Sequence, residues 1–447
     1  MKKLLLAGAA TVLLLAVAVL GYGVHLVRKL DTPEFQRSLL DQARATVGAD
    51  VRVKEMDISL LSGVTLRGIV VANPAPFTGD LLAAEAFVLR YRIRPLLAGR
   101  VEVERLALVK PTLALAMDAR GDFNYERLGR AASRPSAAPA GAAVVPLRVV
   151  LKRLSVEDAS IVMTDHTKAR LLTLEDVDFR SAFEIEGGMA QGEGEATVGA
   201  VNLAGLLFVR GLRSPLAMSK ETVKLAPIRG RVAGGEVTGD VTVHLRGGFR
   251  YVANLEVKGA EVKTLLSEAK SAGGLTGTLA AKARFEGKGG LPTLKGRGQG
   301  TVTDCRVERA STLALLAGIL QVPELASPDF EECRAEFTQA GARLSTPVLS
   351  LKGDAVRLTG RGTVNLETDA LDYQMTLALA PRLLAKVTRP ELRPAFEPQG
   401  DGFSAIDFRL HGTTLEPRTD LLARVGKAAA SEAAKDQINK LLKRKVF

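Results

Sequence analysis

Apolar and polar positions alternate with a period of two along most of this chain, and that pattern predicts strands. The clearest run is 371–379. Leu371, Tyr373, Met375, Leu377 and Leu379 fall on one side, and Asp372, Gln374, Thr376 and Ala378 on the other. Val364 and Leu366, alternating with Asn365 and Glu367, supply a partner strand across a turn at Thr368-Asp369-Ala370. The pair predicts a sheet with one aliphatic and one charged face. Earlier runs at 51–53, 57–60, 64–74, 86–93, 101–109 and 112–118 read the same way, between Ser62-Gly63, Asn73-Pro74, Phe77-Thr78-Gly79-Asp80 and Pro95-Leu96-Leu97-Ala98-Gly99. Strands resume after Leu147. A short unit is echoed within the chain: EVTGDVTVHL, turn, FRYVANLEVKG, helix, then VRLTGRGTVNL, turn, ALDYQMTLALA, helix.

Few segments have a helical period. In 33–48, Thr32 is placed to cap, Pro33 suits the first turn, Phe35, Leu39, Ala43 and Val47 repeat every four residues, and Gly48 ends the run. This helix is expected to plug the end of a sheet, with a membrane interface as the alternative. Shorter helical pieces are expected at 124–128, 260–270, 311–325 and 381–387. Residues 131–146, AASRPSAAPAGAAVVP, have no period that packs and read as a linker or excursion loop.

Leu4 to Val27 is of a different kind, an uncharged apolar run between Lys2-Lys3 and Arg28-Lys29. A bilayer core needs about 20 apolar residues of helix, and this run supplies them. Its length favours a retained anchor over a cleaved signal peptide, for which Ala16-Val17-Ala18 offers a site. Both readings send the body across a membrane, and Lys2 and Lys3 favour a cytoplasmic N-terminus. The expected organisation is an anchor at 1–30, a β region at 31–130, the loop at 131–146, a middle β region at 147–300, a C-terminal β region at 301–420 and a basic helical tail at 421–447.

Composition narrows the chemistry. Hydrophobic residues make up 47% of the chain but aromatics only 4%, so any apolar surface is aliphatic. The net charge of +12 admits nucleic acid, yet export and the lack of stacking aromatics among the Lys and Arg argue against it. Attraction to anionic lipid, or a merely solvated surface, fits better. Cys305 and Cys333 are too few and too far apart to suggest a metal site. They can pair only if the fold brings them together. His25, His166, His244 and His411 lack metal spacing, and no GxSxG, HExxH or CxxC occurs. Gly296-Arg297-Gly298-Gln299-Gly300 reads as a β-turn rather than a phosphate loop. No catalytic, metal-binding or cofactor-binding residue is expected, and the chain is not expected to be an enzyme.

Two stretches carry a resemblance. The first runs VGADVRVKEMDISLLSGVTLRGIVVANP, then AFVLRYRIRPLLAGRVEVERLALVKPTLALAMDARGDFNYERL, with Pro111 and Gly121-Asp122-Phe123-Asn124 near its end. The second includes Gly360, Gly362, Val364, Leu371, Asp372, Tyr373, Gly412, Thr413 and Pro417. In this order they resemble the N- and C-terminal regions of the AsmA family, bridge-like lipid-transfer proteins of the Gram-negative envelope. The resemblance implies a mainly β fold with a few helices: an N-terminal transmembrane helix, then an elongated, curled, antiparallel-rich β-sheet forming a groove, with short capping helices. It implies an inner-membrane, single-pass protein with a periplasmic body. Phospholipid acyl chains would lie in an aliphatic groove lined by Val364, Leu366, Leu371, Tyr373, Met375, Leu377 and Leu379, serving phospholipid transport between the membranes and outer-membrane biogenesis. Envelope proteins at the outer membrane are the other partners it admits. By patterning alone, a closed β-sandwich core is the commoner outcome. The competing function is a non-enzymatic assembly factor for outer-membrane proteins that binds clients at exposed strand edges.

Overall fold

The computed structural model describes residues 33–59, 63–92, 95, 101–128, 149–186, 189–219, 221–244, 250–271, 274–288, 291–308, 311–427 and 430. The apolar run Leu4–Val27, the Ala/Pro-rich stretch 131–146 and nearly all of the tail beyond 427 lie outside these residues. Among the described residues, no helix is long and apolar enough to cross a membrane. These residues form a mainly β fold of 21 strands with few and short helices, as the period-two pattern predicts. The chain divides into two units. One comprises Met1–Arg231 with Val237–Ala253, the other Val232–Glu236 with Asn254–Phe447.

The first unit opens with helix α1 (Pro33–Val47). Its stripe of Leu39, Ala43 and Val47 is buried, so the plug expectation holds. Leu39 packs with Ile58, Val64, Phe87 and Leu89, and Val47 with Val51, Leu81, Leu115 and Leu128. Gly48 at φ 70° ends the helix, its amide donating to the Arg44 carbonyl. The two short runs at 51–53 and 57–60 form one strand, β1 (Val51–Ser59), which pairs antiparallel with β2 (Gly63–Ala72). β3 (Asp80–Tyr91) follows, and pairs with both β4 (Val101–Val109) and β5 (Thr112–Ala116).

The next pairing is not antiparallel. β4 and β5 lie in succession beside β6 (Val149–Thr164), and both run parallel to it. Parallel neighbours need a crossover of about a dozen residues or more. The connection from β5 to β6 runs through 117–148, of which 117–128 are described. The corner is fixed by Asn124, which is fully buried. Its amide donates to Asn73 Oδ1 at 2.7 Å and to the Ala114 carbonyl at 2.8 Å, and its own oxygen accepts from the Tyr125 amide. From β6 an antiparallel run continues through β7 (Arg170–Glu186), β8 (Met189–Leu203) and β9 (Leu207–Met218), and β10 (Thr222–Val232), β11 (Gly235–His244) and β12 (Arg250–Glu261) follow along the chain.

The second unit holds β13 (Gly274–Lys288), β14 (Lys295–Glu308), β15 (Asp329–Ala340), β16 (Arg343–Lys352), β17 (Val356–Asn365), β18 (Ala370–Leu379) and β20 (Ser404–Thr413) in one antiparallel succession. β19 (Glu397–Pro398) and β21 (Pro417–Thr419) pair with two parts of the outer edge of β20. Between them the Arg409 amide donates to Asp420 Oδ1 at 2.7 Å. Helices α2 (Val262–Glu268), α3 (Ser311–Leu320) and α4 (Pro381–Ala385) realise the expected helical pieces. One end of this sheet is closed by protein. Leu316 and Leu320 of α3, Leu325, Leu383 of α4, Val387, Leu421 and Val425 cover Val302, Leu351, Val356, Leu377, Leu379 and Ile406.

Cys305 and Cys333 meet within that core as a disulfide between β14 and β15, with Cα atoms 6.1 Å apart and a sequence separation of 28. Closing a loop of that length removes unfolded-state entropy worth about 3 to 4 kcal/mol. Replacing both residues by serine is expected to lower unfolding stability by about that amount, read as a reduced midpoint in a denaturant titration.

Candidate functional site

Register places the whole of 371–379 as its alternation implies. Leu371, Tyr373, Met375, Leu377 and Leu379 share one face of β18, opposite Val364, Gly362, Gly360, Leu358 and Val356 of β17 and Gly412, Leu410, Phe408, Ile406 and Ser404 of β20. The other face is polar. Arg409 grips Asp372 through two bonds of 2.7 Å, Thr376 donates to Asp407 at 2.6 Å, and Arg361 reaches Gln374. The Arg409 hydrogen bonds hold the Asp372 carboxyl below its ordinary range. Such exposed pairs add little stability. They do set which face meets water.

Along β18 the aliphatic face changes character. Leu377 and Leu379 are 0% exposed and sit under the capping helices, and Met375 is buried as well. Those positions are filled by the protein's own side chains. Leu371, Tyr373 and Val364 are only half-buried, and Leu366 is 39% exposed. Six of the seven candidate residues thus share a sheet face that starts as a closed core and continues as an open surface, while Leu366 lies in the turn just beyond β17. The same half-burial extends along β13 (Leu279, Ala281, Ala283, Phe285), β15 (Ala335, Phe337) and β16 (Leu344, Leu349), facing the same way by register. Lys282, Arg284, Lys295, Arg297, Arg334 and Arg343 are exposed, and by alternation lie on the opposite face.

The glycine cluster at 296–300 is not a turn. It lies inside β14, and its three glycines face the aliphatic side. The rings of Phe285 and Phe337, from the strands on either side, lie across it with centroids 6.1 Å apart. A Cβ at Gly296 would stand 2.6 Å from the Phe285 ring, and one at Gly298 2.5 Å from the Phe337 ring. Gly360 and Gly362 on β17 make the same room for Met375 and Tyr373. Glycine beside a large side chain lets that side chain lie flat and keeps the sheet surface low. The turn reading failed because glycine inside a strand has the same composition as glycine in a hairpin; the neighbouring rings that explain it are distant in sequence.

The first unit carries a second open face that sequence reasoning described only as generic strands. On β6, Leu154, Val156, Ile161 and Met163 face one side; β7 adds Leu172, Leu174, Val177 and Phe179, β8 Ala196, Val198, Val201 and Leu203, and β9 Leu207, Val209 and Leu212. Most are half-buried, and the face continues from the core under α1 through Leu151 and Phe183. Positive φ at Asp158, Asp176 and Gly211 marks irregularities beside the mutually registered Ala159, Val177, Val198 and Leu212. Bulges of this kind increase twist and bend a sheet. Polar groups on the face are satisfied locally: Ser181 donates to the Glu193 carbonyl at 2.7 Å, and Ser214 to the Pro215 carbonyl at 2.8 Å. In the second unit the Thr346 and Tyr373 hydroxyls bond each other at 2.9 Å. His166, His244 and His411 are all exposed, and among the described residues no three His, Cys, Asp or Glu side chains group as metal ligands.

Fold and site together define a β-rich protein whose sheet faces are only partly covered by helices, leaving aliphatic surface open. The family model of the AsmA family matches residues 1–218, so over this stretch the chain is similar to that family. The match contains the first of the two resembling stretches and ends before the second. No curated protein and no solved structure matches the chain.

The flat rings give a direct test of the floor. Gly298→Val would drive Cβ into Phe337 and toward the Lys282 carbonyl, 2.6 Å away. It is expected to cost about 1–3 kcal/mol, the usual range for overpacking, measured as a lower thermal unfolding midpoint with the disulfide intact.

Proposed function

We propose that this chain is a non-enzymatic lipid carrier that binds phospholipid acyl chains along the open aliphatic faces of its sheets. The observation that carries the reading is the contrast along single strands. Leu377 is sealed by protein, while Leu371 on the same face has no side chain over it sufficient to bury it. Apolar surface left in water is unfavourable by about 25 cal/mol per Å². Acyl chains laid on it relieve that cost, while headgroups remain in water because burying an unpaired charge is expensive. Movement would be diffusion along the face, with no side chain performing chemistry.

Similarity to the AsmA family over residues 1–218 supports a role in the envelope, in phospholipid transport between the inner and outer membranes and in outer-membrane homeostasis. The disulfide supports an oxidising compartment such as the periplasm. On this reading Leu4–Val27 anchors the chain in the inner membrane with its N-terminus cytoplasmic. The alternative, client binding at free strand edges, draws less support. The outer edge of β20 is already taken by β19, Asp420 and β21.

Mass spectrometry of lipids that co-purify with the full chain tests the reading. Leu377 and Leu379 are unsuitable sites for a charge, because Asp there would break the core. Leu174→Asp with Val201→Asp, directly opposed on the half-buried face of β7 and β8, is expected to strip bound phospholipid and to lower the unfolding midpoint while keeping the wild-type far-UV circular dichroism at the assay temperature. A folded, lipid-free wild-type protein would refute the carrier reading.

A further inference from the structure

The end of the first unit where β6–β7 and β8–β9 turn differs from the rest of that sheet. Elsewhere one face is aliphatic and the other polar. Here apolar residues stand on both. Met163, Leu172, Leu203 and Leu207 lie on the inner face, while Val162, Leu171 and Phe208 stand on the outer face, with the uncharged Thr173 and Asn202 between Val162 and Phe208. The β8–β9 turn is Leu203-Ala204-Gly205-Leu206, with no charged residue from Asn202 to Val209. Leu203 is 49% exposed and Leu206 63% exposed. The turn is well formed: Gly205 has φ 71°, and its amide donates to Asn202 Oδ1 at 2.8 Å. Two large aliphatic side chains are thus held in water by a rigid hairpin.

The neighbouring hairpin tip is basic. The Ala204 amide donates to the Leu171 carbonyl at 2.9 Å, so the two tips stand side by side. The β6–β7 tip reads Asp165-His166-Thr167-Lys168-Ala169-Arg170. His166, Lys168 and Arg170 are exposed. The one carboxylate turns inward: Asp165 Oδ1 accepts from the Thr167 amide at 2.8 Å, the Thr167 hydroxyl at 2.7 Å and the Ala169 amide at 2.9 Å. Cations therefore point outward beside an apolar tip. That pairing fits the boundary of an anionic bilayer, where acyl chains take the leucines and phosphates take the cations. We propose that this end of the first unit docks on an anionic lipid surface, with Leu203 and Leu206 entering the acyl boundary and Lys168 and Arg170 meeting headgroup phosphates.

The test is flotation of the full chain, kept in solution by a nonionic amphipol, with vesicles of phosphatidylcholine alone or mixed with phosphatidylglycerol. Wild type is expected to float with the mixed vesicles and poorly with the neutral ones. Leu206→Asp, in the turn and outside the face assigned to acyl chains, should sharply reduce flotation with both. Lys168→Glu with Arg170→Glu should weaken binding to the mixed vesicles about tenfold or more and remove the preference for them. Both variants should keep the wild-type unfolding midpoint and the same co-purifying lipid, since neither alters the central part of the face. Flotation of both variants equal to wild type would overturn the proposal by moving the contact elsewhere, and failure of wild type to float would overturn it outright. Loss of co-purifying lipid in wild type would instead count against the carrier reading alone.

Discussion

The long strands of both units obey one constraint: their side chains alternate between two faces, and one face is aliphatic. Aliphatic surface must be covered by something, because water is a poor neighbour for it. In both units a helix or a cluster of short helices covers part of that face. α1 covers one end of the first unit, and α3, α4 and residues 383–425 cover one end of the second. Beyond these caps the apolar residues persist at the same period, but nothing among the described residues seals them. The fold therefore has two kinds of apolar layer built from one pattern. The closed layer gives stability. The open layer is the surface available for function.

How the open layer is kept shallow follows from where glycine stands. In β14 and β17 glycines occupy inward positions next to Phe285, Phe337, Tyr373 and Met375. A side chain in place of each glycine would lift those groups away from the sheet. The aromatic shortage in the composition fits this arrangement: Phe285, Phe337 and Tyr373 lie beside glycines, and most of the remaining surface is Leu, Val, Ile and Ala. Polar atoms that do occur on the face, at Ser181, Ser214, Thr346 and Tyr373, are bonded within the protein. An apolar ligand lying there would not leave them unpaired, which matters because an unsatisfied buried polar group is costly.

Much of this was legible before any coordinates. The alternation at 371–379 specified a strand and its two faces, since period two admits only one assignment of sides. Leu39, Ala43 and Val47 identified the buried stripe of α1. The two cysteines were visible, but their pairing waited on a register that sets Val302 beside Cys333 and Cys305 beside Phe330. The glycine cluster at 296–300 misled, because the residues that give it meaning are Phe285 and Phe337 on other strands. The parallel pairing of β4 and β5 with β6 was not legible, because no local signal announces it.

The sequence by itself determined which residues form strands, which side of each strand is aliphatic, and that no recognisable catalytic motif is present. These depend on local periodicity and residue chemistry, which are complete within a few neighbouring positions. Only the tertiary structure decided how much of the aliphatic face is covered. Leu371 and Leu377 are the same residue type, on the same strand and the same face, and no local rule separates them. Leu377 is buried because Leu316 and Leu320, more than fifty residues earlier, and Leu421, more than forty later, join the same core. Leu371 stays half-open because no element among the described residues covers it. Coverage is a property of long-range packing, and in this protein it separates the core from the candidate site.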